Sequence, residues 1–159
     1  MVARERSGSV LVRKLGIRAG DRVAVVGAAE GFVAGLGLPE GVELVEAAGV
    51  EGVSVGAGGG LGGGGGERGL LDVVVWFGTT LAGLREVVEW APVVLTPAGG
   101  LWIGWPKRSS RIATEVTADV VREVALPTGL VDNKICAVDD EWSGIRLVLR
   151  RELRPKPGS

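Results

Sequence analysis

Apolar residues in this chain fall into short unbroken runs separated by amphipathic stretches, the pattern of strands covered on both faces by helices. The clearest run is Leu71 to Phe77, where Val73-Val-Val-Trp-Phe77 contains no polar residue, and it predicts a central strand. Arg22 to Val26 and Val42 to Glu46 predict two more strands. Between them lie the loop Gly27-Ala-Ala-Glu-Gly31, about two helical turns over Phe32 to Leu36, and the turn Pro39-Glu-Gly41, making a compressed β-α-β unit. Ahead of the first strand, Ser9 caps a short helix through Val10, Leu11, Val12 and Leu15, which ends at Gly16.

The second half continues the alternation. Thr79 or Thr80 caps a helix with Leu81, Leu84, Val87, Val88 and Ala91 on one face and Arg85, Glu86 and Glu89 on the other. That helix ends near Leu95, Pro97 and Gly99-Gly100 form a turn, and Leu101 to Trp105 is a short strand stopped by Pro106. Thr117 and Asp119 open another helix, with Val120, Val121, Val124 and Ala125 inward and Pro127 closing it. Lys134 to Val138 and Ile145 to Arg151 predict a hairpin joined by Asp139 to Gly144, and a disordered tail follows from Arg154. The expected class is α/β: three layers around a mostly parallel sheet that ends in an antiparallel β-hairpin, one domain over residues 1–153.

Composition narrows the function classes. A chain of 159 residues suits one domain with a real core, and a formal net charge of −1 argues against nonspecific nucleic-acid binding, which needs a basic footprint. Met1 to Gly8 is charged, and no apolar run is as long as a membrane span, so a cytoplasmic protein with no membrane association is expected. Without histidine, and with Cys136 as the only cysteine, the chain has no Ser-His or Cys-His nucleophile pair and no imidazole-thiolate zinc site. Much of the excess of glycine lies between Gly56 and Gly66, where only Ala57 and Leu61 interrupt the tract. A phosphate-cradling loop needs a helix start behind it, whereas here Glu67-Arg68-Gly69 leads straight into a strand, so a flexible surface insertion is expected.

Polar groups gather where the Leu101 to Trp105 strand ends, and in an open α/β sheet the carboxyl ends of strands are where ligands bind. Lys107, Arg108 and Arg111 beside Ser109 and Ser110 form either an anion-binding loop or a solvated basic turn. Asp139, Asp140 and Glu141 lack metal-loop spacing and read as an acidic hairpin loop. Trp142 either folds back on the sheet or presents a binding surface, for which Lys134 and Arg146 are the other candidates. Arg146, on an apolar strand, requires a partner such as Asp132, Asp139 or Glu141, or a cleft to enter. Cys136 reads as a small buried hydrophobe.

The element order, together with Leu95-Thr-Pro-Ala-Gly-Gly-Leu-Trp-Ile103, resembles the sheet of adenosylmethionine-dependent methyltransferases and the passage before their fifth strand. Three segments carry a more specific resemblance: Lys14-Leu-Gly-Ile-Arg-Ala-Gly-Asp-Arg-Val23, Leu101-Trp-Ile-Gly-Trp-Pro-Lys107, and Leu126 to Asp139 with Trp142-Ser-Gly144. In these the chain is similar to the small family called domain of unknown function 3052, which implies a methyltransferase-like Rossmann fold and no established reaction. The resemblance places a methyl-donor site at Gly27, Glu30 and Gly31, with Glu46 as the ribose partner, but Ala28 and Ala29 replace the middle of the usual glycine loop. The expectation is therefore a non-catalytic or regulatory module with a degenerate adenosylmethionine site, no bound cofactor, and a small anionic ligand or a protein as partner. The alternative is an S-adenosylmethionine-dependent methyltransferase acting on a small molecule or protein. A third reading is another small-molecule enzyme using Lys107 or a carboxylate in the same cleft.

Glycine buries no apolar side chain, so excising residues 56–66 and rejoining the ends with a short linker is expected to keep a cooperative melt at or slightly above the parent temperature. A much lower melting temperature would show that the tract packs against the rest of the chain.

Overall fold

A computed structural model describes residues 10–53 and 71–151. The Ser9 cap, the glycine tract and the tail from Arg154 lie outside them. Helix α1 covers residues 10–15 and ends at Gly16. Strands β1 (Arg22–Val26), β2 (Glu43–Ala47), β3 (Leu71–Phe77) and β4 (Leu95–Pro106) follow, with helix α2 (Leu81–Val94) before β4. Helix α3 (Ala118–Ala125), β5 (Leu130–Ala137) and β6 (Trp142–Leu149) are the remaining helix and strands among the described residues. The sheet order is β2-β1-β3-β4-β6-β5, so the expected central strand β3 is interior. β2, β1, β3 and β4 pair in parallel, while β6 runs antiparallel between β4 and β5. The expected three-layer α/β class is the one observed.

Alternation along the strands divides the core between two faces. On one face, Ala24, Val74, Leu101, Ile103, Ile145 and Leu147 meet Leu84, Val87, Val88 and Ala91 of α2 and Val121 and Ala125 of α3. On the other, Val23, Val25, Val75, Phe77 and Trp102 meet Val12 and Leu15 of α1, Ile17 and Leu36. Threonine caps start both longer helices: the Thr80 hydroxyl accepts from the Gly83 amide, and the Thr117 hydroxyl from Val120. The N-terminal layer is fastened to the sheet by one buried bond, the Trp102 indole N–H donating to the Leu15 carbonyl at 3.0 Å.

Three boundaries differ from the sequence expectation. Residues 30–36 form turns rather than a helix, because Gly31 at one end and Gly37 at the other have positive φ and break the helical run. Strand β4 begins at Leu95 rather than Leu101. Its pairing jumps from Leu71↔Leu95 to Val73↔Gly100, so the predicted Pro97–Gly100 turn is a bulge inside a strand. The hairpin strands also start earlier than predicted, at Leu130 and Trp142, because β6 pairs on both sides and draws Trp142 and Ser143 into the ladder.

Replacing Trp102 with phenylalanine removes the donor and leaves the buried Leu15 carbonyl without its partner, so urea denaturation should show a loss of about 2–4 kcal/mol. A loss below about 0.5 kcal/mol would show that this bond does not hold the layer.

Candidate functional site

Parallel pairing brings the carboxyl ends of β1, β2, β3 and β4 to one edge of the sheet. The loop leaving β1 starts at Gly27, whose amide donates to the Ala47 carbonyl at 2.8 Å and so extends the β1–β2 ladder. Gly27 has φ 74°, and a β-carbon there would stand 2.5 Å from the Phe77 carbonyl oxygen, so contact with β3 demands glycine at this position. Gly31 has φ 86°, and a β-carbon there would meet nothing within 4 Å. Ala28 is half-buried and packs against the α1-side core, while Ala29 and Glu30 are exposed. The Ala28 methyl is thus spent on the core and does not fill the approach to the loop. Glu46, in register with Val25, is exposed one residue before the end of β2. Gly27, Glu30, Gly31 and Glu46 are therefore gathered at adjoining strand ends.

The β4 side of the edge is built differently. Lys107 follows Pro106, and its amide donates to the Glu141 carbonyl at 2.7 Å, tying the basic turn to the hairpin loop. Ser110 is occupied by the turn itself: its hydroxyl donates to the Lys107 carbonyl at 2.7 Å and accepts from the Ile112 amide at 3.3 Å. Arg108, Ser109 and Arg111 are exposed, and Lys107 is half-buried. The loop thus offers cations, with Ser109 as its exposed hydroxyl. Asp139 closes the hairpin by accepting from the amides of Glu141 and Trp142 at 2.8 and 2.9 Å. Among the described residues no group of three or more acids or cysteines is placed to hold a metal ion.

Between these two halves stands an aromatic wall. Phe77, at the end of β3, makes edge-to-face contacts with Phe32 at a centroid distance of 4.9 Å and with Trp142 at 5.3 Å. Gly104 leaves room for this ring, since a β-carbon there would stand 2.8 Å from Phe77 Cδ1. Trp142 therefore folds back on the sheet rather than presenting a surface. Phe32 and Phe77, the only two phenylalanines in the chain, are legible in the sequence as element residues but not as a site wall, although their position beside strand ends was a usable signal.

The other predicted site residues are scattered. Lys134 is exposed on β5 with its Nζ 3.4 Å from the Lys14 carbonyl, and it sits in register with Arg146 on β6. Asp132 pairs with Arg122 at 3.1 Å, and the Arg146 guanidinium lies over Gly100. Cys136 is half-buried against the α1-side core. No described helix is long and apolar enough to cross a membrane.

This sheet order, with helices on both faces and one antiparallel strand inserted next to the last, defines a Rossmann-like methyltransferase fold. A S-adenosylmethionine (SAM)-dependent methyltransferase from Aquifex aeolicus superposes with a TM-score of 0.58 at 14% identity, covering 90% of this chain and 89% of that one. A TehB-like SAM-dependent methyltransferase from Corynebacterium glutamicum gives 0.56 at 14% identity, covering 91% and 88%. Aeropyrum pernix fibrillarin, solved with natively bound S-adenosyl-L-methionine, gives 0.55 at 16% identity, covering 91% and 76%. No family model matches the sequence, and no curated protein matches it either. At these identities the likeness establishes the fold.

Gly27→Ala should destabilise the protein by about 2 kcal/mol or more, combining left-handed strain with the clash at Phe77, whereas Gly31→Ala bears the strain alone, about 1 kcal/mol. Chemical denaturation of the two variants compares them directly. Equal losses would show that the β1–β3 contact imposes no demand of its own.

Proposed function

We propose that this protein binds S-adenosylmethionine at the carboxyl edge and is a methyltransferase for a small anionic acceptor. The observation that carries the reading is the gathering of groups at the β1–β2 half of that edge: a loop whose Ala28 packs against the core, Gly31 where a β-carbon would meet nothing within 4 Å, and Glu46 exposed at the neighbouring strand end. The backbone from Gly27 to Gly31 and the Glu46 carboxylate are the groups that would hold the donor, the latter by accepting hydrogen bonds from ribose hydroxyls. The donor, when bound, supplies an activated methyl group. Phe77 and Trp142 exclude water from the adjoining space, and Lys107, Arg108 and Arg111 draw an anionic acceptor toward the β4 side. The resemblance to the domain of unknown function 3052 family is compatible with this reading and adds no reaction to it.

A second reading, a non-catalytic binding module on the same scaffold, is favoured by a specific feature. Residues 30–36 form turns, so no helix N-terminus stands behind the loop to complement a ligand's charge.

Isothermal titration with S-adenosylmethionine decides the donor site: micromolar binding is expected, weakened about tenfold or more by Glu46→Gln with no change in melting temperature. Absence of binding at millimolar donor would overturn the proposal. Binding without methyl transfer to any anionic acceptor tested would select the module.

A further inference from the structure

At the opposite edge of the sheet lies a cleft of about 420 Å³, which the carboxyl-edge reading leaves unused. It opens between the turn after α1 and the amino ends of β1, β3 and β4. Its size falls within the range of about 300–1,000 Å³ typical of small-molecule sites. Three guanidinium-bearing side chains line it: Arg13 and Arg18, exposed on the N-terminal layer, and Arg146, half-buried on the interior strand β6.

Arg146 is seated by the backbone of β4. A β-carbon on Gly100 would stand 2.6 Å from Arg146 Nε and 2.8 Å from Cζ and Nη2, so only a glycine leaves the guanidinium its place along the strand. The bulge from Thr96 to Gly99 widens the amino edge beside it and contributes Thr96, Ala98 and Gly99 to the lining. Two carboxylates share the cleft. Asp21 accepts from the Arg18 amide at 2.8 Å and Asp72 from the Arg22 amide at 2.9 Å, each through Oδ2, which holds both carboxylates in place as acceptors at the cleft wall.

Several forked cations beside fixed acceptors match a ligand that carries both an oxyanion and hydroxyl groups. Guanidinium forks suit the multiple oxygens of a phosphate, and carboxylates suit the hydroxyls of a sugar. We infer that the amino-edge cleft bounded by Arg13, Arg18, Arg146, Asp21 and Asp72 binds a small hydroxylated phosphate ester, a chemistry shared by sugar phosphates and nucleotides. The site is separate from the carboxyl edge and stands whether or not a methyl donor binds there.

The test is isothermal titration of the full chain at low salt with ribose 5-phosphate, adenosine monophosphate and inorganic phosphate. Ribose 5-phosphate should bind at least tenfold more tightly than inorganic phosphate, which lacks hydroxyls for Asp21 and Asp72 to accept from. Adenosine monophosphate binding more tightly than the sugar phosphate would identify the source as a nucleotide, and the reverse a sugar phosphate. The double variant Arg13→Ala with Arg18→Ala, altered only at exposed side chains, should lose at least tenfold in affinity while its ligand-free melting temperature stays unchanged. Gly100→Ala should also abolish binding by displacing Arg146, and Arg146→Gln repeats that test without crowding β4. Lys107→Ala with Arg108→Ala should leave ribose 5-phosphate binding intact, and Arg13→Ala with Arg18→Ala should leave S-adenosylmethionine titrations as in the parent, which separates the two edges. No binding of any phosphate ester at millimolar concentration, or equal affinity in parent and the Arg13/Arg18 variant, would overturn the inference.

Discussion

Where β1 and β3 leave the sheet, the backbone of Gly27 runs so close to the Phe77 carbonyl that a β-carbon would lie 2.5 Å from its oxygen. The contact follows from the parallel register, which sets Val26 beside Trp76 and carries both chains off the same edge. It forces a left-handed residue at the first position of the loop, turns Ala28 into the α1-side core, and leaves Ala29 to Gly31 outside. The same strand end places the Phe77 ring between Phe32 and Trp142. Open loop on one side and aromatic wall on the other are thus consequences of a single close approach.

The two edges of the sheet serve different chemistry for reasons of chain direction. At the carboxyl edge, exposed acids stand near the ends of β1 and β2, and cations follow β4. At the amino edge, the β4 bulge and the turn after α1 line a cleft together with Arg13, Arg18 and Arg146. The buried Trp102–Leu15 bond fixes that turn against the sheet, so the layer roofing the amino-edge cleft is anchored beside it.

Much of the scaffold was legible. β1 and β3 coincide with the stretches Arg22 to Val26 and Leu71 to Phe77, because the interior of a strand covered on both faces is apolar, and the charged Arg22 and Asp72 stand only at the amino ends, half-buried. The caps at Thr80 and Thr117 were legible too, since a threonine before an amphipathic run satisfies the orphan amides of a helix start. Local pattern failed where pairing overrode it. Thr96 to Gly99 has the composition of a turn, yet the flanking residues Leu95 and Gly100 both pair with β3, and the intervening residues became a bulge. Trp142 looked like a loop residue, yet β6 extends through it because Pro106 of the longer strand β4 pairs with it.

The sequence by itself determined the α/β class, the central strands, the helix starts and the candidate positions from Gly27 to Gly31, at Glu46 and from Lys107 to Arg111, because periodicity, caps and strand-end polarity are local properties. Only the tertiary structure decided which of these groups stand together. It assigned Asp132 to Arg122, committed the Ser110 hydroxyl to its own turn, and set Arg146 over Gly100 in a cleft with Arg13 and Arg18. The meeting of Arg13, Arg18 and Arg146 depends on strand order and register between segments more than a hundred residues apart, which no local pattern encodes.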